Sequence, residues 1–279
     1  MARESGADVA QDQFDVALIT GASSGLGAAF ARALAERGRN VALAARRVER
    51  LEALAAELRD THGVKAFAIG ADLSLPDAHP PILDAVAGEG AFVGCLINNA
   101  GFGIPQDYAD TPWTRQHELL MTLVVSACAL THDVLPGMIA RGRGEIINVA
   151  SLAGLSPGGA GYTLYPAAKS FAVRFSQSLD AEVRSRGVRV TAVCPGFTLT
   201  EFSQAAGAQH LMDQAPRRFW QTAEQVVEAT LKANAAGKVV LVPGLHNKVV
   251  AAAMKYLPDS WVRAGIARGG RKYRFKNED

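Results

Sequence analysis

The chain alternates short apolar runs with longer segments of helical periodicity, and this alternation constrains its fold more than any other feature. Runs that are apolar throughout predict strands covered on both faces, which is typical of a parallel sheet with helices on either side. Right-handed crossovers between such strands indicate a single doubly wound α/β domain. The predicted strands are residues 14–20, 40–45, 66–70, 92–97, 145–149, 188–194 and 239–242, and the predicted helices are residues 25–37, 48–61, 76–86, 113–141, 167–186 and 222–235.

The composition is that of an ordinary soluble protein. Of 279 residues, 49% are hydrophobic and 20% are charged, and the formal net charge of +2 does not favour a nucleic-acid partner. Cys95, Cys128 and Cys194 stand in apolar runs without a CxxC pair or a histidine cluster. This pattern predicts reduced thiols in a cytoplasmic protein and no metal site. Because no apolar run reaches about 18 residues, we expect no membrane span.

Both ends of the chain differ from the central domain, which we assign to residues 13–245. Residues 1–12 are polar and lack the apolar core of a secretory signal, so we expect a flexible N-terminus. Residues 246–279 combine apolar positions with eight Lys and Arg residues. A basic amphipathic helix of this kind can lie on a membrane surface. We favour the other interpretation, a helix packed on the core that ends in a solvated basic tail.

A glycine-rich loop, TGASSGLG, follows the first predicted strand at residues 20–27. Its spacing is GxxxGxG rather than the GxGxxG of the general dinucleotide fingerprint. Gly21 permits a tight turn, Gly25 lets the backbone approach a phosphate, and Gly27 lets the helix pack against the strand. The helix N-terminus then offers free N–H groups and a positive dipole end to a pyrophosphate. A glycine-rich turn without a ligand is the alternative, but the strand–loop–helix context favours binding.

The end of the second strand indicates which dinucleotide is bound. An Asp or Glu there usually holds the free 2′-OH of the ribose, whereas this strand ends in Ala44-Ala45-Arg46-Arg47. A carboxylate would repel a 2′-phosphate, and a guanidinium would bind it through paired hydrogen bonds. We therefore expect NADP(H) to be preferred over NAD(H), with Arg46 as the phosphate ligand. The alternative is a surface arginine pair, in which Arg47 is the better candidate for a bystander.

Five motifs follow one another along the chain: TGASSGLG, NNAG (98–101), NVAS ending at Ser151, YPAAK (165–169) and Pro195-Gly196. In this order they resemble the motifs of the classical short-chain dehydrogenase/reductase family, over about residues 12–245. The resemblance implies a seven-stranded Rossmann-like sheet and nicotinamide-dependent oxidation or reduction at a carbonyl or alcohol carbon. A turn cap at Asp72 and a strand-end hydrogen bond at Asn98 are alternatives to cofactor contacts. Carried over by position, the cofactor contacts are Gly21, Ser23, Ser24, Gly25, Leu26, Gly27, Arg46, Asp72, Leu73, Asn98, Ala100, Gly101, Tyr165, Lys169, Pro195, Gly196, Thr198 and Thr200.

The YPAAK segment supplies a candidate proton donor. Carbonyl reduction needs a hydride on carbon and a proton on oxygen, and the nicotinamide supplies the hydride. A free tyrosine has a pKa of about 10, and a nearby positive charge lowers it. Lys169 follows Tyr165 by one helical turn, and Pro166 is tolerated in a first turn. We expect Tyr165 to be the general acid in reduction and the base in oxidation, Lys169 to lower its pKa, and Ser151 to hydrogen-bond the substrate oxygen. A surface Tyr–Lys pair is the alternative.

One expected residue is missing. Many family members carry an asparagine in the helix after strand four, thought to hold a water in a proton relay, but here residues 120–126 read LMTLVVS, with Leu123 at that position. The competing function is a non-catalytic NADP-binding sensor or scaffold, which the fold alone does not distinguish from an enzyme. The presence of Ser151, Tyr165 and Lys169 together favours the enzyme.

The substrate is expected to be a hydrophobic ketone or secondary alcohol. Residues 201–220 follow the sixth strand and are expected to cover the bound substrate. The preference for NADP(H) favours the direction of reduction. The resemblance implies a homodimer or homotetramer formed through the long helices 113–141 and 167–186. The candidate pocket residues are Phe102, Ile104, Phe197, Phe202, Leu211, Met212 and Trp220.

Overall fold

The computed structural model describes residues 13–104, 106–158, 163–201 and 220–273, with side chains up to residue 266. The proposed flexible N-terminus lies outside these ranges. The described strands are β1 (Phe14–Thr20), β2 (Asn40–Ala45), β3 (Ala66–Gly70), β4 (Ala91–Asn98), β5 (Gly144–Val149), β6 (Val188–Val193), β7 (Thr198–Leu199), β8 (Gln221–Thr222) and β9 (Val240–Leu241).

Seven of these strands form one parallel sheet in the order β3-β2-β1-β4-β5-β6-β9, and β7 pairs separately with β8. The predicted doubly wound parallel sheet is thus confirmed. The chain reverses its direction of winding between β1 and β4. Ligands of such sheets bind at the carboxyl ends of the strands beside this switch point.

The described helices are α1 (Gly25–Ala35), α2 (Val48–His62), α3 (His79–Gly88), α4 (Trp113–Leu120), α5 (Ser126–Ala140), α6 (Leu164–Val183), α7 (Ala223–Ala235), α8 (Leu245–Tyr256) and α9 (Asp259–Tyr273). A π-helical turn, Met121–Val125, joins α4 to α5, and a 3₁₀ turn, Leu152–Leu155, follows β5.

The two faces of the sheet bury separate apolar clusters. Alternate residues of a strand point to opposite faces, and β1 shows this directly. Ala17 and Ile19 join a cluster with Phe30 of α1, whereas Val16 and Leu18 join a second cluster that includes α5 and α6. The near-continuous apolar character of β1 therefore reflects burial on both sides.

The helices differ from the prediction at three places. The predicted helix 113–141 is interrupted by the π turn, and α6 begins three residues earlier than predicted, so that Pro166 lies in its first turn. The C-terminal segment forms two helices instead of one. Leu257 between them is extended, with φ −83° and ψ 153°, because the residue before Pro258 is disfavoured in helical geometry.

Residues Trp113–Ala140 are long and apolar enough to cross a membrane, with a mean hydropathy of 1.6 over their most apolar stretch. In the structure this segment is a sheet-covering helix, since Leu130, Val134 and Met138 of α5 are buried in the cluster that contains Leu18 of β1.

Truncation of a buried leucine tests this core. Leu58 of α2 is fully buried, whereas Leu75 in the loop between β3 and α3 is 57% exposed. We expect Leu58→Ala to lower the free energy of unfolding by about 2–5 kcal/mol and Leu75→Ala to change it by about 0.5 kcal/mol or less. Denaturant unfolding of both variants measures the difference, and similar losses at the two positions would contradict the assigned packing.

Candidate active site

The glycine loop between β1 and α1 has a backbone that other residues would strain. Gly21 has φ +67° and Gly25 has φ +56°, both in the left-handed region that favours glycine. A Cβ atom at Gly27 would overlap the carbonyl oxygen of Gly21. The first turn of α1 therefore approaches the end of β1 closely, as the sequence predicts for a phosphate-binding loop.

A hydrogen-bond network holds this loop against the end of β4. The Thr20 hydroxyl accepts from the backbone N–H groups of Asn99 (3.0 Å) and Ala100 (3.1 Å). The Asn99 side-chain amide donates in turn to the carbonyl oxygens of Thr20 (2.9 Å) and Gly21 (3.3 Å). Both residues belong to the quoted motifs, but sequence reasoning assigned neither a role.

The two arginines after β2 interact with different neighbours. Arg47 donates to the hydroxyls of Ser23 (3.0 Å) and Ser24 (2.8 Å), and it forms an ion pair with Glu201 at 3.1 Å. Arg46 is exposed, and its charge acts on the carboxyl group of Asp72. Sequence reasoning treated Arg47 as the bystander of the pair, yet its guanidinium contacts the glycine loop itself.

Asp72 and Asn98 make the local hydrogen bonds that the sequence left open as alternatives. Burial raises the pKa of Asp72, but hydrogen bonds from the backbone and hydroxyl of Ser74 and the Arg46 charge outweigh it and lower the pKa. The Asn98 amide donates to the Asn148 side-chain oxygen at 2.9 Å. These bonds orient both residues at the strand ends.

The segment after β6 lies across the glycine loop. A Cβ atom at Gly25 would lie 3.2 Å from the Thr200 Cβ atom, and a Cβ atom at Gly196 would overlap the side-chain oxygen of Asn247. Thr198 is buried, and its hydroxyl donates to the Gly196 carbonyl oxygen at 3.2 Å. The loops after β1 and β6 thus face each other across the switch point.

The candidate catalytic residues come together where α6 packs on the end of β5. Lys169 is buried, and its Nζ donates to the Val149 carbonyl oxygen at 2.7 Å. The same Nζ lies 5.6 Å from the centre of the Tyr165 ring. Ser151 begins the 3₁₀ turn after β5, where a Cβ atom at Gly154 would lie 2.6 Å from the Lys169 carbonyl carbon. This close approach keeps Ser151 beside the face of α6 that carries Tyr165 and Lys169.

Burial of Lys169 perturbs its protonation. Desolvation penalises the ammonium form and lowers the pKa of Lys169 to about 8. Burial likewise raises the pKa of the neighbouring Cys194 thiol to about 12, although the Lys169 charge opposes that shift. The lysine is therefore the cationic member of this pair at neutral pH.

A cavity of about 20 Å³ lies beside Lys169 and is lined by Asn98, Asn148 and Leu123 among others. A water needs roughly 10–15 Å³ of such space, so the cavity is large enough for one. The Asn98 side-chain oxygen is buried without a hydrogen-bond partner among the described residues. Leu123 packs on Gly101, where a Cβ atom would lie 2.5 Å from the leucine Cδ2 atom. An apolar side chain thus occupies the relay position, next to a cavity that Asn98, Asn148 and Lys169 also line.

The candidate substrate pocket is described in part. Phe202, Leu211 and Met212 lie outside the described residues. The Phe197 ring lies 5.1 Å from the Trp220 ring, and Ile104 and Tyr165 line a common cavity of about 10 Å³. Phe102 is covered by the Arg115 guanidinium at 4.2 Å.

Comparison with known proteins agrees with this geometry. The family profile described as short chain dehydrogenase matches residues 15–211. The chain is 38% identical over 194 residues to a very-long-chain 3-oxoacyl-CoA reductase of Anas platyrhynchos, covering 67% of this chain and 61% of that protein. It is 38% identical over 195 residues to an uncharacterized oxidoreductase of Myxococcus xanthus (strain DK1622), covering 70% of this chain and 76% of that protein.

Two solved structures have similar folds. A short-chain dehydrogenase from Sphingobium yanoikuyae in complex with NADPH is 32% identical, with a TM-score of 0.75 and coverage of 95% of this chain and 98% of that chain. A 7beta-hydroxysteroid dehydrogenase is 27% identical, with a TM-score of 0.80 and coverage of 89% and 95%. The chain belongs to the short chain dehydrogenase family, whose fold binds a nicotinamide cofactor.

The buried lysine makes stability depend on pH. The pKa of Lys169 is about 8 in the folded, cofactor-free protein, against 10.5 for an ordinary lysine. Between pH 8 and 10.5 the unfolded chain binds more protons than the folded chain, so the free energy of unfolding rises with pH. Below about pH 8, Lys169 is charged in both states and the full cost of burying its charge is present. We expect the free energy of unfolding of the wild type, relative to Lys169→Met, to rise by on the order of 3 kcal/mol between these two pH values.

Urea unfolding at a series of pH values measures this difference. The same substitution at the exposed Lys232 provides the baseline. A difference between wild type and Lys169→Met that stays constant with pH would contradict the burial of a charge at Lys169.

Proposed function

We propose that this protein is an NADP(H)-dependent oxidoreductase that interconverts a carbonyl compound and an alcohol. The observation that carries the proposal is the position of Tyr165 and Lys169 on one face of α6, with the turn that begins at Ser151 packed against Lys169. This group lies at the carboxyl ends of the strands, beside the glycine loop. Because the chain covers 61% of the 3-oxoacyl-CoA reductase that it resembles, that protein's substrate is not transferred directly to this one.

The geometry supports a division of roles among the three residues. When bound, the nicotinamide supplies or accepts the hydride. Tyr165 donates the proton to the substrate oxygen in reduction and removes it in oxidation. A lysine with a pKa of about 8 remains mostly protonated at neutral pH, so Lys169 provides a positive charge that favours the tyrosinate form. The Ser151 hydroxyl, held at the start of its turn, donates a hydrogen bond to the substrate oxygen.

The preference for NADP(H) rests on the two arginines after β2. The end of β2 lacks a carboxylate at the position that usually binds the 2′-OH. Arg47 contacts the glycine loop through Ser24, and the charge of Arg46 acts on Asp72 after β3. The left-handed conformations of Gly21 and Gly25 leave backbone surface for the pyrophosphate. Residues of this loop and Lys169 would hold the cofactor.

A bulky hydrophobic ketone is the substrate class that we favour. The Phe197–Trp220 contact places aromatic surface on the segment after β6. Similar proteins are named for long-chain 3-oxoacyl, steroid and bulky-bulky ketone chemistry. Reduction is the direction favoured by NADP(H).

We further propose a cytoplasmic homo-oligomer. Cys95, Cys128 and Cys194 are all free thiols, which suits a reducing compartment. Exposed Trp113 and Phe171 lie on the long helices that the resemblance implicates in assembly. Gel filtration with light scattering tests the oligomeric state, and a monomer at micromolar concentration would exclude the homo-oligomer.

Removal of the tyrosine hydroxyl tests the enzyme assignment. We expect the wild type to oxidise NADPH in the presence of bulky ketones, and Tyr165→Phe to lose at least about 100-fold in kcat, as for loss of a general acid. Absorbance at 340 nm measures turnover, and quenching of protein fluorescence measures NADPH binding, which the variant should retain. Binding of NADPH by the wild type without turnover of any ketone would favour the sensor or scaffold function instead.

Truncation of the arginines tests the cofactor preference. We expect Arg46→Ala and Arg47→Ala each to raise KM for NADPH by about 10- to 100-fold, the equivalent of a lost charge-assisted hydrogen bond, and to leave KM for NADH nearly unchanged. Arg50→Ala is the matched control, because Arg50 binds the same Glu201 at 2.8 Å and makes no described hydrogen bond to Ser23 or Ser24. Equal effects on NADPH and NADH would contradict a 2′-phosphate site.

A further inference from the structure

Helix α8 turns an apolar face to solvent. Leu245, Val249 and Tyr256 are 78%, 63% and 74% exposed, and their spacings of four and seven residues align them along one side of the helix. Asn247 is buried on the opposite side. The sequence predicts a helix packed on the core, and α8 packs there through Asn247 while this apolar stripe faces solvent.

A polar anchor determines this orientation. The Asn247 side-chain amide donates to the Gln221 side-chain oxygen and to the Pro243 carbonyl oxygen, both at 2.9 Å. Its side-chain oxygen contacts Gly196, where a Cβ atom would overlap it. Rolling the helix to bury Val249 would break these contacts and leave a buried amide unsatisfied.

The exposed apolar surface continues into the next helix. Leu257 between α8 and α9 is 46% exposed, and Trp261 of α9 is 68% exposed. Tryptophan and tyrosine are enriched at membrane–water interfaces, where an apolar ring and a polar tip are both accommodated. Tyr256 and Trp261 provide one such side chain on each helix.

The net positive charge of the chain comes from this region. Residues 245–279 contain eight of the 29 Lys and Arg residues and three of the 27 Asp and Glu residues, which gives this segment a net charge of +5 and the preceding 244 residues a net charge of −3. Lys248 and Lys255 are exposed on α8, one helical turn or less from the apolar stripe. The partner that complements both properties is an apolar surface edged with negative charge.

We propose that α8 and the start of α9 dock on an anionic phospholipid membrane. Leu245, Val249, Tyr256, Leu257 and Trp261 enter the boundary between headgroups and acyl chains, and the neighbouring lysines contact the headgroups. A nucleic acid would complement the charge but not the apolar stripe. A second copy of this chain would bring the same positive charges together.

Docking in this orientation also positions the candidate active site. Helix α8 begins beside Gly196 and Gln221, which belong to the segments on either side of the proposed substrate cover. If the proposed reductase function holds, a hydrophobic ketone dissolved in the bilayer would reach the site from the membrane side. The docking itself does not depend on that function.

Co-sedimentation of the full chain with vesicles tests the proposal. We expect the protein to pellet with vesicles of phosphatidylcholine and phosphatidylglycerol and to remain in the supernatant with phosphatidylcholine alone, because the basic residues require anionic headgroups. Fluorescence emission of the protein should shift to shorter wavelength with the anionic vesicles if Trp261 becomes buried.

Two variants separate the contributions of the apolar stripe and of the lysines to vesicle binding. Val249→Asp should weaken binding by about tenfold or more by placing a charge in the apolar stripe, and Lys248→Glu with Lys255→Glu should do the same through the headgroup contacts. Val125→Asp is the matched control, since Val125 is exposed on a different helix, and it should leave vesicle binding unchanged.

Three results would overturn the docking site. The first is equal recovery of the wild-type protein in the supernatant with both vesicle types. The second is an equal loss of vesicle binding in Val125→Asp and Val249→Asp. The third is that the wild type binds no vesicles and Val249→Asp has a smaller particle size than the wild type. The last result would assign the surface to contacts between copies. NADPH turnover of a water-soluble ketone, measured without vesicles on the same samples, shows separately whether the proposed function holds.

Discussion

The hydrogen bond from Lys169 Nζ to the Val149 carbonyl oxygen, 2.7 Å long and buried, joins α6 to the end of β5. Ser151 follows Val149 by two residues, and Tyr165 precedes Lys169 by one helical turn. This bond therefore links the two segments that carry the three candidate catalytic residues. The absence of a side chain at Gly154 allows a second contact, between the 3₁₀ turn and the backbone of α6, because a Cβ atom there would lie 2.6 Å from the Lys169 carbonyl carbon.

This arrangement has an electrostatic cost that suits a proton-transfer site. Burial of the ammonium group lowers its pKa, and for Lys169, which forms no ion pair with a carboxylate among the described residues, the value falls to about 8. The charge is retained at neutral pH but can be lost over a short pH interval above it. Asn98 lines the cavity next to Lys169, and its side-chain oxygen is buried without a hydrogen-bond partner in the part of the chain that the structure describes. The site therefore has room for a water at the position where Leu123 offers no polar group.

The cofactor side depends on contacts between distant loops. Asn99 from the end of β4 holds the carbonyl oxygens of Thr20 and Gly21, and Arg47 from the end of β2 holds the serines of the glycine loop. The predicted glycine positions agree with the left-handed conformations at Gly21 and Gly25. The roles of Asn99 and Arg47 were not predicted, since spacing along the chain does not report which strand ends become neighbours.

The sequence by itself determined the strands, because an apolar run of this length between helical segments has few alternatives to a strand of a covered parallel sheet. The inner strands β1 and β2 and the edge strand β3 all have the predicted limits. It also determined the order of the motifs, and hence the family. Only the tertiary structure decided the π turn around Leu123, the contacts of Arg47 and the outward face of α8. Each of these depends on long-range contacts, such as the bonds from Asn247 to Gln221 and Pro243, which compete with local periodicity and override it.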